Sequence, residues 1–403
     1  DGQVEMRDPD NGDMLSVRIE RAHLEEDAAK NVHRDSATFV DFNRAGTPLV
    51  EIVTKPDFRN PQDAKFFLQE LRRILRYLRV SDADMEKGHM RCDANVSLRP
   101  VDARGLPVLR EFYPKTEVKN MNSFKAVERA LEYEIKRQTD LWNTNSPPAQ
   151  TTTRGWNDRK QTTELQRVKE AEADYRYMRE PDIPQISVTD ALEEERHALP
   201  ELPDAARARF RDEYGFAEQA VWTLTDDPEM AAFTEAAMTE LTGWLVASPD
   251  TQGSAEEIRE KHRAPIAKLA GTWLATKLLG LLSERGASLS ETSLTPENMA
   301  ELLRLLFEQK VNSAHAQTML GRMLDDGSSP EQLLSSQQFS RMDDAAALRD
   351  IVEHVLARHP QQVNEYKAGK QSLLAFFIGL VQKETNGSAD PHLTKQLLES
   401  LLS

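Results

Sequence analysis

One stretch limits what this chain can become: Thr38 to Pro56, TFVDFNRAGTPLVEIVTKP. It reads as two β-strands, Thr38–Asn43 and Thr47–Val53, joined by a turn at Arg44-Ala45-Gly46. Side chains alternate along a strand, so Leu49, Glu51 and Val53 share one face and Val50 and Ile52 the other. Glu51 is then an ionisable group inside an apolar run. A bare carboxylate there is costly unless a cation or hydrogen-bond donors meet it. A second acidic group, Glu25-Glu26-Asp27, lies just upstream. The pair Glu26 and Glu51 is the candidate for holding a divalent metal.

Bulk properties narrow the class. A chain of 403 residues has room for two to three domains. Its longest apolar run, Leu373 to Val381, falls short of the roughly 18 residues a membrane span needs. The polar, acidic start DGQVEMRDPD is unlike a secretory signal. One cysteine, Cys92, excludes a disulfide framework or a multi-cysteine zinc site within these residues. These features point to a soluble cytoplasmic protein; a eukaryotic source would place it in an organelle matrix. The net charge of −16 lacks the overall basic footprint of a nucleic-acid binder, so any RNA contact must be a local basic patch.

Taken in order, the chain opens with a hairpin, Val4–Met6 and Leu15–Ile19 around a turn at Asp10-Asn11-Gly12-Asp13. Asn60 then caps a helix with Pro61 at its first position and Phe67, Leu71, Ile74, Leu75 and Leu78 on one stripe. Arg72, Arg76 and Arg79 read as its solvated face. Met90–Arg99 alternates cleanly: Met90, Cys92, Ala94, Val96 and Leu98 face one way, Arg91, Asp93, Asn95 and Ser97 the other. Asp and Asn are poor strand formers, so this polar face suits a concave site. Lys115, Glu117 and Lys119 share a face of the next strand, and Asn122 or Ser123 caps a helix to about Gln138.

The fold class expected is therefore α+β, a mostly antiparallel sheet with helices on one side, over residues 1–190. Prolines near Pro181 and Pro184 mark its end. Residues 191–335 read as an all-helical domain, with Thr295-Pro296-Glu297 as one clear helix start. Residues 336–403 read as a small helical tail. Lys367, Lys370 and Lys383 flank its apolar helix, which Asn386-Gly387 ends; they are either solvated charges or phosphate contacts for RNA.

Several motifs then converge. HLEEDA at 23–28, DFNRAGTPLVEIV at 41–53, RCDANVSLRP at 91–100 and KNMNSF at 119–124 resemble the B subunit of the tRNA-dependent amidotransferase. Asp174-Tyr175-Arg176-Tyr177, Glu180-Pro181-Asp182 and Tyr366-Lys367-Ala368-Gly369-Lys370 add to the resemblance, which runs in order along essentially the whole chain. It implies a cradle domain similar to the glutamine synthetase and guanido kinase group, followed by helical domains that hold tRNA. It implies ATP and Mg2+ as co-substrate and cofactor, with the glutaminase (A) and small (C) subunits of the complex as partners. The substrate would be tRNA(Gln) or tRNA(Asn) misacylated with Glu or Asp. Glu26 and Glu51 match the family's magnesium-binding glutamates, and Arg91 and Lys119 are candidates for countering phosphate charge. Lys367, Lys370 and Lys383 become tRNA-binding candidates.

The sequence departs from that pattern in places. The family's further N-terminal segment, with another Glu, a His and in many members a zinc site, is expected to be missing here. Ala29 stands for a usual Gly, and Met178-Arg179 for a usual Phe-Pro. On that basis the chain alone is expected to be weak or inactive as a kinase. Two other functions compete: a non-catalytic tRNA-binding scaffold, and a small-molecule carboxylate ligase. The long lysine-bearing helical half argues against the second.

Overall fold

The computed structural model describes residues 2–7, 12, 14–34, 37–109, 111–168, 181–182, 184, 187–248, 252–335, 345–385 and 389–402. The chain divides into two compact units, Asp1–Asp204 and Ala205–Ser403. The first is mixed α and β and the second is helical.

In the first unit, β1 (Gly2–Arg7), β2 (Met14–Glu26) and β5 (Pro48–Thr54) form an antiparallel sheet with β2 in the middle. The hairpin pairing of β1 with β2 is as expected, Val4 opposite Val17; its turn falls mostly outside the described residues. The turn at Asn43–Gly46 also forms, with Gly46 at φ 77° where a side chain would be strained. The strands on either side of it part company, however. β4 (Ala37–Asp41) pairs with β3 (Lys30–Arg34) in a separate two-stranded sheet, while β5 pairs with β2.

The second sheet runs β6 (Ala94–Val96), β7 (Thr116–Lys119), β8 (Thr152–Asn157), β9 (Thr162–Val168). Only three residues of the expected strand Met90–Arg99 keep ladder bonds, yet its alternation survives: Met90, Cys92 and Ala94 pack on the core. β7 and β8 are parallel. A parallel pair needs a crossover, and helix α2 (Phe124–Asn143) supplies it. Ser123 caps α2, accepting from Ala126 N at 3.1 Å. Helix α1 (Pro61–Tyr77) starts as its sequence dictates, Asn60 Oδ1 accepting from Asp63 N at 2.8 Å. Phe67 and Leu68 of α1, Val127 and Leu131 of α2, and Val118 and Trp156 of the sheet share one core with Met6 and Val17.

Beneath the second sheet lies a fully buried carboxylate, Glu134. Its oxygens accept from Arg137 NH2 at 2.6 Å, Gln138 Nε2 at 2.9 Å and Thr163 Oγ1 at 3.1 Å. Gln138 Nε2 also reaches Val96 O and Thr116 Oγ1, so this network ties α2 to β6, β7 and β9. Burial opposes Glu134's charge, but the Arg137 and Gln138 bonds outweigh it and hold its pKa below the usual carboxylate value. Helix α3 (Thr189–Ala198) closes the unit with every residue exposed.

The second unit contains α4 (Pro203–Arg209), which begins at the boundary, α5 (Glu218–Leu224), α6 (Pro228–Ala247), α7 (Ala255–Thr272) and α8 (Leu279–Arg285). It continues through α9 (Pro296–Phe307), α10 (Ser313–Asp326) and α11 (Pro330–Ser335). Thr295 caps α9 with Pro296 at its first position, as the sequence indicates. Among the described residues the tail has four helices, α12 (Ala345–Arg358), α13 (Pro360–Lys367), α14 (Leu373–Glu384) and α15 (Pro391–Leu402). They close on their own core of Leu348, Val352, Phe377, Val381 and Leu398. Asn386-Gly387, expected to end α14, lies outside the described residues, as do Asp174–Tyr177 and Glu180. Among the described residues, no helix is long and apolar enough to cross a membrane.

Candidate functional site

The site is set by how β2 meets β5. A register shift between Ile19 and Arg21 puts an extra residue into β2. Such a bulge reverses which parity faces which side. Leu15, Val17 and Ile19 pack on the core before it. Past it, the polar residues His23 and Glu25 take the odd positions instead. His23 sits opposite Glu51, and Glu25 opposite Leu49. Directly opposed residues of an antiparallel pair share a face, so His23, Glu25 and Glu51 converge. One ligand atom from each lies within 4.8 Å of the other two.

The structure does not bring Glu26 and Glu51 onto one face. Glu26 lies opposite Pro48, shares its face with Leu24 and Val50, and points away from Glu51. Glu25 and His23 are the groups that lie beside Glu51. Residues 23 and 25 share a strand face, but only the register of β2 against β5 shows that this face is the one that meets Glu51.

The cluster's groups also contact one another and Arg21. His23 Nε2 lies 2.6 Å from Glu25 Oε1. A carboxylate only accepts, so Nε2 carries the proton in this arrangement. Glu51 Oε1 accepts from Arg21 NH2 at 3.2 Å. Two carboxylates and an imidazole, each half-buried, thus face a proton and a guanidinium where a cation would fit. Few carboxylates on an open shelf suit a hard divalent ion that keeps waters or phosphate oxygens. If such an ion binds, His23, Glu25 and Glu51 would hold it, and it would supply charge neutralisation for phosphates.

Arg91 and Lys119 do not share one partner. Arg91 NH2 donates to Asp27 Oδ2 at 3.1 Å, which brings it to the end of β2. Arg44 Nε meets the same oxygen at 2.8 Å. Lys119 Nζ donates to Asp93 Oδ2 at 2.6 Å and lies 3.4 Å from Glu117. Burial works against its charge, but these two carboxylates raise its pKa overall. Thr153 Oγ1 donates to Glu117 Oε2 at 2.9 Å, extending the polar face onto β8. Gly155 lies close under the side-chain amides of Gln166 and Asn120, which a Cβ there would have to displace. Burial pushes the Cys92 thiol up to about 12, making it a core side chain and not a nucleophile.

In the tail, Lys367 and Lys370 are exposed around the end of α13, Lys370 pairing with Glu365 at 3.0 Å. Lys383 lines an open groove with Arg358, His359 and Glu384.

Two family models match the chain. Residues 1–194 match the GatB/GatE catalytic domain, and residues 255–402 match the GatB domain. The chain therefore carries a catalytic domain of that type followed by its helical companion. It is 38% identical to the aspartyl/glutamyl-tRNA(Asn/Gln) amidotransferase B subunit of Rippkaea orientalis, covering 96% of this chain and 74% of the relative. The protein of the same name from Thermomicrobium roseum is 40% identical over 97% of this chain and 76% of its own length. That from Thermotoga maritima is 38% identical over 96% and 75%. The chain belongs to the family of aspartyl/glutamyl-tRNA(Asn/Gln) amidotransferase B subunits.

Proposed function

We propose that the chain is the subunit of a tRNA-dependent amidotransferase that activates the side-chain carboxylate of Glu-tRNA(Gln) or Asp-tRNA(Asn) with ATP and Mg2+. The observation that carries this is the likeness to B subunits along both units. The cluster at β2 and β5 supports it, because phosphoryl transfer is chiefly positioning and charge neutralisation. The first unit would serve as a cradle of the glutamine synthetase and guanido kinase group. The glutaminase (A) and small (C) subunits of the complex are the proposed partners.

In this reaction a side-chain carboxylate oxygen attacks the γ-phosphorus of ATP. The bond from γ-phosphorus to the bridging oxygen breaks, and ADP leaves with its electron pair. Ammonia delivered by the glutaminase partner then attacks the acyl carbon. Inorganic phosphate leaves, a proton is lost from nitrogen, and the amide remains. His23, Glu25 and Glu51 would hold the magnesium ion that neutralises the phosphates. Lys119 and Arg91 would counter the remaining phosphate charge. Lys367, Lys370 and Lys383 would meet tRNA phosphates, which fix position and not sequence.

Glu51→Gln in the complex reconstituted with its partner subunits separates this function from a pure tRNA scaffold. Carboxylate activation should be lost while affinity for misacylated tRNA stays. Unchanged amidation by Glu51→Gln would refute the proposal.

A further inference from the structure

We propose that Arg44 and Arg91 form a guanidinium clamp for the phosphate tail of a nucleoside triphosphate, and that Asp27 is the positioning residue that sets it. Both arginines meet Asp27 on one oxygen, Arg44 Nε at 2.8 Å and Arg91 NH2 at 3.1 Å. Asp27 is largely covered, its side chain 14% exposed, while Arg44 and Arg91 are 46% and 61% exposed. The carboxylate is thus the sheltered base, and the cations are the exposed surface.

The backbone does not need this side chain for its own shape. Asp27 N already donates to Thr47 O at 2.9 Å, and Gly46 N donates to Asp27 O at 3.0 Å. What the side chain adds is the convergence of two like charges that would otherwise repel. Arg44 is fixed a second time, NH1 donating to the Gly88 carbonyl at 3.3 Å. The turn before β5, the end of β2 and the segment leading to β6 are thereby joined at one point.

Position selects the ligand. Asp27 lies two residues beyond Glu25, a step of about 7 Å along a strand. A compact polyphosphate can span that step, one end on the arginines and the other at the His23, Glu25 and Glu51 cluster. The triad's net charge is only one positive. A single backbone phosphate of RNA gains little there, whereas a terminal phosphate carrying nearly two charges gains more. Guanidinium forks match phosphate oxygens in pairs. The choice of a triphosphate rests on the phosphoryl-transfer function proposed above; the clamp geometry does not.

The test is calorimetric titration of the 403-residue chain with inorganic tripolyphosphate and with ATP, both without divalent metal, and separately with Mn2+ alone. Arg44→Ala and Arg91→Ala should each weaken tripolyphosphate and ATP binding about tenfold, the effect of losing a charged hydrogen bond, while leaving Mn2+ binding intact. Asp27→Asn gives the sharper result. Removing a negative charge beside an anion site should tighten binding if simple charge governs; loss of the positioning residue should weaken it several-fold, with Asp27→Glu restoring part. Equal or tighter binding by Asp27→Asn, at an unchanged melting temperature, would overturn the positioning role. Unchanged binding by both arginine variants, or no tripolyphosphate binding by the wild type, would overturn the clamp. So would an unstructured RNA oligonucleotide that competes as well as tripolyphosphate. Loss of Mn2+ binding alone would fault the metal cluster and leave the clamp standing.

Discussion

Glu134 offers the most quantitative test of how the first unit is held together. It is completely buried and meets Arg137, Gln138 and Thr163 at 2.6 to 3.1 Å. Removing one partner of a buried ion pair costs about 3–5 kcal/mol, because the other charge is stranded. Glu134→Ala should fall at the lower end. Arg137 is 24% exposed and can turn toward water. Gln138 keeps its bonds to Val96 O and Thr116 Oγ1. A loss of about 3 kcal/mol in a unit of this size lowers Tm by roughly 6–12 °C. Glu134→Gln keeps the volume but not the charge and should lose about half as much. Differential scanning calorimetry, with hydrogen exchange on peptides over β8 and β9, would read both. The sign of the pH effect follows from the depressed pKa. Stability from Glu134 is present above the unfolded carboxylate value and is lost as pH falls through the lower folded one. Wild type should therefore lose more stability in acid than Glu134→Ala. A Glu134→Ala protein melting within about 2 °C of wild type would refute the network's role.

Two further outcomes are expected. The Arg18 guanidinium, 2.6 Å from Asp57, lowers the Asp57 carboxyl to about 2, so its stabilisation holds above pH 4 and fades as pH drops toward 2; Asp57→Asn should flatten the acid limb of a stability-versus-pH curve over that window. Phe377→Ala, in the fully buried centre of the tail core, should cost about 3–5 kcal/mol, and hydrogen exchange should show α12 to α15 losing protection while the first unit keeps its own.

Helix starts were legible in the sequence because local chemistry decides them, whereas α2 runs on past the expected Gln138 to Asn143. Asn60, Ser123 and Thr295 each bond the backbone three residues on, and no distant contact is needed. Alternation over Met90–Val96 was likewise readable, since burial follows period two. Strand partnership was not. Nothing local to Thr38–Val53 shows that its two strands join different sheets, because β5 is claimed by the distant strand β2. Which glutamate lies beside Glu51 is decided at the same level. Glu25 and Glu26 are chemically equivalent neighbours on opposite faces, and only the register of β2 against β5 chooses between them. The parallel pairing of β7 with β8 and the double use of Asp27 by Arg44 and Arg91 are equally non-local.

Mn2+ binding, followed by electron paramagnetic resonance or calorimetry on four versions of this chain, tests the central claim most directly. Glu25→Gln and Glu51→Gln should each lose most of the affinity, while Glu26→Gln, changed on the opposite face of the same strand, should bind like wild type. Retention of the ion by Glu25→Gln, or its loss from Glu26→Gln, would contradict the site described here.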